Sequence, residues 1–293
     1  MEIRPDYYDE FECIASACLH NCCVGWEIDI DECSLEKYQS QTGVLKKKLE
    51  KNISLEPCAH FILSENERCP FLNDENLCEL ILQGGDGMLC EICKEHPRFY
   101  NDVYEATEKG LGICCEAAAK IILTKESPVK LISDTDKFPQ NDFFDKRNEI
   151  FNVLQNRKKS LNNRIDEILK LADSSTPINE TDWISIYKSL ERLDKAWDTL
   201  LDRIDYIKFE IPNGLEKPCE QLIHYFLYRH LSGAIEDFLF TERIRFAILS
   251  CYVITSLNKS KTVEEMLEIA RMYSAEIEYS DENIDILLEK LQN

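Results

Sequence analysis

The sequence is poor in glycine and proline, with nine of each in 293 residues, and poor in basic residues relative to acidic ones. Lysine and arginine number 34 against 55 aspartates and glutamates, which gives a formal net charge of −21. Because phosphate contacts need clustered Lys and Arg, this balance argues against a nucleic-acid-binding protein and against binding to an anionic membrane. It would suit a basic partner, such as a lysine-bearing protein, although solubility is the simpler explanation.

Export and membrane signals are also missing. No apolar run approaches the length of a membrane span, and the first thirteen residues are acidic and lack the apolar core of a secretion signal. We therefore expect a cytoplasmic protein. Thiols stay reduced in that compartment, which favours metal-binding or catalytic cysteines over disulfides. An oxidised, secreted protein is the alternative.

The usual motifs of cofactor-dependent transfer are absent as well. There is no glycine-rich loop of a doubly wound nucleotide-binding fold, and no C-x-x-x-C-x-x-C triplet of common radical enzymes. The densest glycine segment, residues 84–87, follows a helix-like run and predicts a turn. The five histidines are scattered, so residue order alone identifies no catalytic set.

Cysteine is abundant and unevenly distributed. Twelve of the fourteen cysteines lie in the first 115 residues, and two adjacent pairs stand among them. Adjacent cysteines rarely bridge each other, because disulfide geometry needs well separated Cα atoms, whereas adjacent thiolates can serve one metal where the backbone turns sharply. Soft thiolates select zinc, copper(I) or iron–sulfur clusters. Four cysteines fall within 25 residues: Cys69, Cys78, Cys90 and Cys93.

Some of the cysteines are expected to have no ligand role. A free thiol behaves as a small hydrophobic group and is often found in a core. We expect a core position for four of them: Cys33, Cys58, Cys219 and Cys251.

The composition changes near residue 125. Residues 1–125 hold twelve cysteines and seven of the nine glycines, whereas residues 126–293 show apolar spacing close to 3.6. Residues 123–142 contain two prolines and are the expected linker. The sequence thus predicts a mainly α protein, with an irregular cysteine-rich metal-binding amino-terminal module at 1–125 followed by an α-helical domain at 126–293.

Local patterns predict the individual elements. Residues 26–31 alternate apolar and acidic side chains, which is typical of a strand. Residues 34–49 predict a helix capped by Ser34, and residues 183–197 predict another with Thr181 or Asp182 at its cap. Further helices are predicted at 143–154, 161–169, 215–235, 239–257, 262–278 and 280–291.

Five ordered blocks over about 160 residues carry a family resemblance. They are FECIASACLHNCCVGWEIDID at 11–31, CPFLNDENLCEL at 69–80, CEICKEHPRFY at 90–100, ICCEAAAK at 113–120 and FFDKRNEIFNVLQNRKKSLNNRIDEIL at 143–169. Together they resemble the flagellin lysine N-methylase (FliB-type) family. The cysteine blocks are also similar to a broader group of zinc- or iron-chelating cysteine domains, which implies metal binding but not methyl transfer.

The resemblance implies a ligand set. Cys90 and Cys115 stand where the family usually has Ser and Pro, and are therefore left out of it. Eight cysteines match family positions and are the expected metal ligands: Cys13, Cys18, Cys22, Cys23, Cys69, Cys78, Cys93 and Cys114. Because eight thiolates exceed the four that a structural zinc needs, an iron–sulfur cluster, of the 4Fe–4S type, is favoured over zinc.

The resemblance also implies an activity, the transfer of methyl groups from S-adenosylmethionine to lysine side chains of flagellin. A carboxylate or tyrosine could orient the lysine amine, and the candidates beside the cysteine blocks are Tyr100, Glu116 and Asp29. Arg98 could pair with a carboxylate of cofactor or substrate, or form a structural salt bridge. A non-catalytic metal-chelating binding protein or chaperone is the alternative function.

Overall fold

The computed structural model describes residues 1–135, 137–173, 178 and 181–292. The described chain is mainly α-helical with a few short strands, as predicted. Its contacts divide it into two compact units. The cysteine unit is Glu12–Phe99, and the helical unit is Met1–Phe11 together with Tyr100–Asn293. Elements are numbered below along the chain.

The two units do not coincide with the expected division at residue 125. Residues 1–11 and 100–125 group with the helical unit, because strands from both segments share one sheet with a strand inside the expected linker. The sheet has the order β4-β5-β1-β6, where β1 is parallel to β5 and antiparallel to β6. Its strands are β1 (Glu2–Pro5), β4 (Arg98–Val103), β5 (Ala106–Leu111) and β6 (Leu131–Ser133).

The cysteine unit has short elements. Its helices are α1 (Glu32–Gln39), α2 (Gly43–Asn52), α3 (Glu79–Gly84) and α4 (Glu91–Glu95), and its strands are β2 (Ile53–Ser54) and β3 (His60–Phe61). Residues 26–31 form no regular strand, yet Ile28 and Ile30 are buried while Glu27 and Asp29 are exposed. The predicted alternation is therefore present in extended chain, which backbone hydrogen bonds hold against the segment of β3.

The single helix predicted at 34–49 is two helices. The chain leaves α1 after Gln39 and re-enters a helix at Gly43, whose φ of +71° is a left-handed conformation that favours glycine. The cap also differs from the prediction, because Asp31 rather than Ser34 accepts the hydrogen bond that closes the first turn of α1. The chain turns at Gly85, with φ +74°, between the end of α3 at Gly84 and a 3-10 turn at Asp86–Met88, so the turn predicted at 84–87 is centred on this residue.

The helical unit matches the predicted periodicity closely. Its helices are α5 (Glu116–Leu123), α6 (Asp142–Leu154), α7 (Leu161–Leu171), α8 (Trp183–Ser189), α9 (Lys195–Leu201), α10 (Glu216–His230), α11 (Ala234–Asp237), α12 (Phe240–Leu257), α13 (Val263–Tyr273) and α14 (Asp281–Leu291). Asp182 caps α8 as predicted, but the helix predicted at 183–197 is divided between α8 and α9. A π-helical turn, Ser274–Glu278, continues α13.

The core of the helical unit is built around α10 and α12, which pack against each other. Every residue of α12 from Ile244 to Leu257 is buried. Tyr228 of α10 ties this core to the sheet, since its hydroxyl donates to the carbonyls of Ile3 and Lys109 at 3.0 and 3.1 Å. Within the described residues, no helix combines the length and apolarity needed to cross a membrane.

Candidate metal centre

The cysteine unit brings distant cysteines together through backbone pairing. Val24 bridges Arg68 in antiparallel fashion, and the amide of Cys69 donates to the carbonyl of Cys23 at 2.8 Å. The first and second cysteine blocks of the sequence are therefore neighbours in space, although 46 positions separate Cys23 from Cys69.

A tight loop then places Cys78 beside Cys69. The amide of Leu72 turns back to the carbonyl of Cys69 at 3.1 Å, and Leu72 bridges Cys78. The side chain of Asn73 holds the loop closed, because its Oδ1 accepts from the amides of Glu75 and Leu77 at 3.0 and 2.9 Å. These bonds explain why the segment 69–78 needs turn-forming residues between its two cysteines.

The Cys90–Cys93 turn is fixed by the start of α4 and by Asp31. Cys90 is the cap residue of α4, and the amide of Glu91 donates to Asp31 Oδ2 at 2.8 Å. Asp31 Oδ1 accepts at the same time from the amide of Ser34, at 2.9 Å. Burial alone would raise the pKa of Asp31, but these amide hydrogen bonds lower it. One carboxylate thus caps both α1 and α4.

Four thiols form two hydrogen-bonded pairs. The Cys23 thiol donates to the Cys22 sulfur, which lowers the pKa of Cys22 and raises that of Cys23. The same relation holds between Cys93 as donor and Cys90 as acceptor, and it lowers the pKa of Cys90. Such sharing of a proton is expected where two thiols are held within hydrogen-bond distance.

The pairs also act on each other and on two further cysteines. The pKa of Cys93 is raised by its hydrogen bond to Cys90 and by burial, and further by the charges of Cys90, Cys23 and Cys69. Burial raises the pKa of Cys69 to about 11, against backbone hydrogen bonds at Phe71 and Leu72 that lower it. Cys78 contributes to the shifts of both Cys23 and Cys69. We call these six residues the thiol cluster: Cys22, Cys23, Cys69, Cys78, Cys90 and Cys93.

The thiol cluster lies at the edge of the core of its unit. Cys69 and Cys90 are buried within this core, and Cys23, Cys78 and Cys93 pack against it. Tyr38 of α1 closes one side, since its hydroxyl donates to the carbonyl of Met88 at 2.8 Å. Its pKa is raised by burial and then by the charges of Cys90 and Cys93.

The donor chemistry of the thiol cluster suits zinc or iron, since soft, partly buried thiols with backbone N–H partners are typical of such centres. Its geometry is less complete. Among the residues that the structure describes, no three Cys, His, Asp or Glu side chains are arranged to hold one metal ion.

Five of the eight expected ligands belong to the thiol cluster, and three stand elsewhere. Cys13 is exposed, with its sulfur accepting from the amide of Ala15 at 3.4 Å. The Cys18 thiol donates to the carbonyl of His20 at 3.3 Å. Cys114 belongs to the helical unit, where its thiol donates to the Tyr279 hydroxyl at 3.1 Å.

Cys90, which the family resemblance excludes, is part of the thiol cluster. The sequence signal for it was the grouping of Cys69, Cys78, Cys90 and Cys93 within 25 residues. Of the four cysteines expected in a core, Cys219 and Cys251 are fully buried as predicted. The prediction for Cys33 and Cys58 is wrong, because both are exposed. Cys33 points outward from α1, and the Cys58 thiol meets Asp29 Oδ1 at 3.5 Å.

The candidates for catalysis and cofactor binding are divided between the units. Asp29 and Arg98 belong to the cysteine unit, and Tyr100 and Glu116 to the helical unit. Asp29 is exposed, and Arg98 Nη1 donates to the carbonyl of Lys94 at 3.5 Å. Tyr100 is 46% exposed, with Lys109 Nζ 5.8 Å from the centre of its ring. Glu116, half-buried, begins α5. The roles of these four residues stay predictions.

The helical unit contains a buried polar network that no sequence motif indicated. Glu278 is buried at the end of the π-helical turn, a feature frequent at functional sites. Its carboxylate accepts from Tyr225 Oη at 2.9 Å and lies 2.6 Å from His230 Nε2. Arg229 Nε is 3.4 Å away, and its guanidinium lies over the ring of Tyr279. The partners are about 50 positions apart in sequence, so no local pattern could reveal them.

Comparisons with known proteins agree with the resemblance seen in the sequence. Flagellar biosynthetic protein FliU of Salmonella muenchen is 26% identical over 135 residues, which is 44% of this chain and 80% of that protein. The lysine-N-methylases of Salmonella typhimurium and Salmonella choleraesuis are each 25% identical over 139 residues, or 45% of this chain. The chain resembles the FliB-type lysine N-methylases.

That match covers 35% of the length of each lysine-N-methylase, so the chain matches about a third of those proteins. No family model matches the chain, and no solved structure matches it. The names of these relatives refer to lysine methylation and to flagellar biosynthesis in those proteins.

Proposed function

We propose that this protein transfers methyl groups from S-adenosylmethionine to lysine side chains of flagellin. The observation that carries the proposal is its similarity to two lysine-N-methylases and to a flagellar biosynthetic protein. The net charge of −21 supports a lysine-bearing protein as the substrate, since opposite charges favour encounter.

The reaction sets a requirement on the site. The lone pair of the lysine Nζ attacks the methyl carbon of the sulfonium, a C–N bond forms, and the C–S bond breaks with its electron pair left on sulfur. The amine must first lose a proton, and its reference pKa is about 10.4. A carboxylate or phenol within hydrogen-bond reach can take that proton and orient the amine. Tyr100, Glu116 and Asp29 are the proposed candidates, and Arg98 is proposed to pair with a carboxylate of the cofactor or substrate.

We further propose that the thiol cluster holds a metal, with an iron–sulfur cluster favoured over zinc. Six thiols linked by pairwise interactions exceed the four that one structural zinc or one 4Fe–4S cluster needs, so the ligand number is sufficient for either centre. Closure of these sulfurs around a metal is part of the proposal, because the described arrangement does not itself form a site. Such a centre would supply folding free energy to a unit with short elements.

The test of the activity is mass spectrometry of flagellin incubated with the full-length protein and S-adenosylmethionine. We expect mass increments of about 14 Da, one per methyl group, on lysine residues, and none when S-adenosylmethionine is omitted. Since Cys33 is exposed and outside the thiol cluster, a Cys33→Ser variant should retain activity and serves as the control for Cys93→Ser.

Two outcomes would contradict the proposal. Unmodified flagellin after incubation with folded, metal-replete protein would favour the non-catalytic metal-binding alternative. Methylation without S-adenosylmethionine would exclude it as the methyl donor.

A further inference from the structure

A cationic groove lies on the cysteine unit beside α2. Its volume is about 610 Å³, which falls within the range of roughly 300–1,000 Å³ typical of ligand pockets. Four cations and one carboxylate line it: Lys47, Lys48, Lys51, Arg68 and Asp74. Pro70 and Leu72 add an apolar wall next to Cys69 of the thiol cluster.

The groove is positively charged, whereas the chain as a whole is negatively charged. The segment 12–99 has sixteen acidic residues and eight basic ones, and half of the basic residues line this one groove. The concentration of cations creates a local positive potential in a protein whose formal net charge is −21.

Lys47 and Lys51 are the uncompensated members on α2. Both are exposed, and neither forms an ion pair within the described part of the chain. They are four positions apart on one helix, where like charges lower helix stability. Lys51 is in the last turn, which favours a cation through the helix dipole, but Lys47 lies outside that turn.

The other two cations of the groove, Lys48 and Arg68, have partners within the protein. Lys48 is neutralised by Glu79, at 2.5 Å, and its ammonium lies over the ring of Phe71. Arg68 donates to the carbonyl of Asn73 and, at 3.0 Å, to Asn76 Oδ1, which shape the loop without neutralising its charge. The groove thus keeps three cations that form no ion pair among the described residues, beside one carboxylate, Asp74.

We propose that this groove binds a small phosphorylated ligand with an apolar or aromatic body, such as a nucleoside phosphate. Lysine ammonium groups act as point charges for phosphate, and guanidinium adds directed hydrogen bonds. The apolar wall at Pro70 and Leu72 suits the uncharged part of the ligand. S-adenosylmethionine has no phosphate and carries a cationic sulfonium, so the proposal of a phosphate site in this groove does not rest on the proposed function.

The experiment is isothermal titration of the full-length protein with magnesium-free ATP at low ionic strength. We expect binding by the wild type and about tenfold weaker binding by the double variant Lys47→Gln, Lys51→Gln, since two phosphate contacts are lost. Lys46→Gln is the control for loss of charge on α2. It removes one charge from the same helix, against two in the double variant, but Lys46 faces Glu50 and does not line the groove.

Two further measurements sharpen the result. Affinity should fall as ionic strength rises, because the contacts are exposed and screened. Pyrophosphate should bind more weakly than ATP, because it lacks a body for the apolar wall. Absence of binding by the wild type, or equal affinities of the double variant and Lys46→Gln, would overturn the proposal. Equal binding of pyrophosphate and ATP would overturn the assignment of the apolar wall.

Discussion

At the scale of single residues, Glu278 is a buried charge of the helical unit that depends on several polar partners. Its carboxylate is fully buried, and a buried charge is tolerated only with partners that replace water. Tyr225, His230 and Arg229 supply those partners. Burial alone would raise the pKa of Glu278, but the charge of Arg229 and the hydrogen bond to His230 hold it at about 2.

Replacement of Glu278 by glutamine should therefore lower the free energy of unfolding by about 3 kcal/mol, because Arg229 is left buried without its partner charge. Urea denaturation followed by circular dichroism measures this change. Glu282→Gln is the control, since Glu282 is exposed on α14, and it should change stability by less than about 0.5 kcal/mol. Similar effects of the two substitutions would contradict the assigned role of Glu278.

The low pKa of Glu278 predicts that the stability of the protein depends on pH. Its folded pKa of about 2 is below the reference value of about 4.3 for an unfolded chain. Its stabilising contribution is therefore present above about pH 4.3 and is lost as pH falls toward 2. The difference in unfolding free energy between wild type and Glu278→Gln should shrink over that interval. A difference independent of pH between 5 and 2 would show that the ionised form carries no stability.

At the scale of elements, Asp31 joins two helix starts with one carboxylate. It closes the first turn of α1 and also holds the amide that begins α4, which carries the Cys90–Cys93 turn. Helix caps of this kind contribute about 1 kcal/mol each. The position of a pair of thiols is thus coupled to a residue 59 positions earlier than Cys90.

Asp31→Ala should destabilise the protein by about 1–2 kcal/mol, because two capped amides lose their acceptor. Thr42→Ala is the matched control, since Thr42 is the cap residue of α2 and its side chain makes no capping bond. Thermal or urea denaturation compares the two variants. If Thr42→Ala destabilised the protein as much as Asp31→Ala, loss of the two hydrogen bonds to Asp31 would not explain the destabilisation.

Element positions could be predicted where one local pattern decides them. The helices α6, α7, α10, α12 and α14 follow from apolar spacing close to 3.6, because one face or the whole helix is buried. Breaks inside an apolar pattern were missed, since the turn at Gly43 and the division between α8 and α9 depend on local backbone conformation.

Pairings between distant segments could not be predicted in the same way. β1 pairs with β5 more than 100 positions later, and neither strand has a pattern that specifies its partner. The candidate site shows the same limit. Its composition was evident from the cysteines, but Cys33 is exposed where a core position was expected, and Cys90, left out of the expected ligands, belongs to the thiol cluster, because burial depends on how α1 and α4 face the core.

At the scale of the whole molecule, the cysteines differ in their surroundings. The thiol cluster is held at the edge of one core by backbone bonds and a helix cap. Cys93→Ser should lower the metal content of the purified protein and its melting temperature by about 5 °C or more, because metal-binding free energy is also folding free energy. Cys33→Ser should change neither quantity. Equal melting shifts with unchanged metal content would remove the support for this division.

The most direct test of the central claim is metal analysis of the full-length protein purified without oxygen, combined with its absorption spectrum. We expect iron in near-stoichiometric or higher amounts, a brown colour, and loss of both colour and thermal stability after treatment with a chelator. Stoichiometric zinc in a colourless protein would retain the thiol cluster as a metal centre but contradict the preference for iron. Protein that is folded, reduced and free of both iron and zinc would contradict the claim that these six thiols form a metal centre.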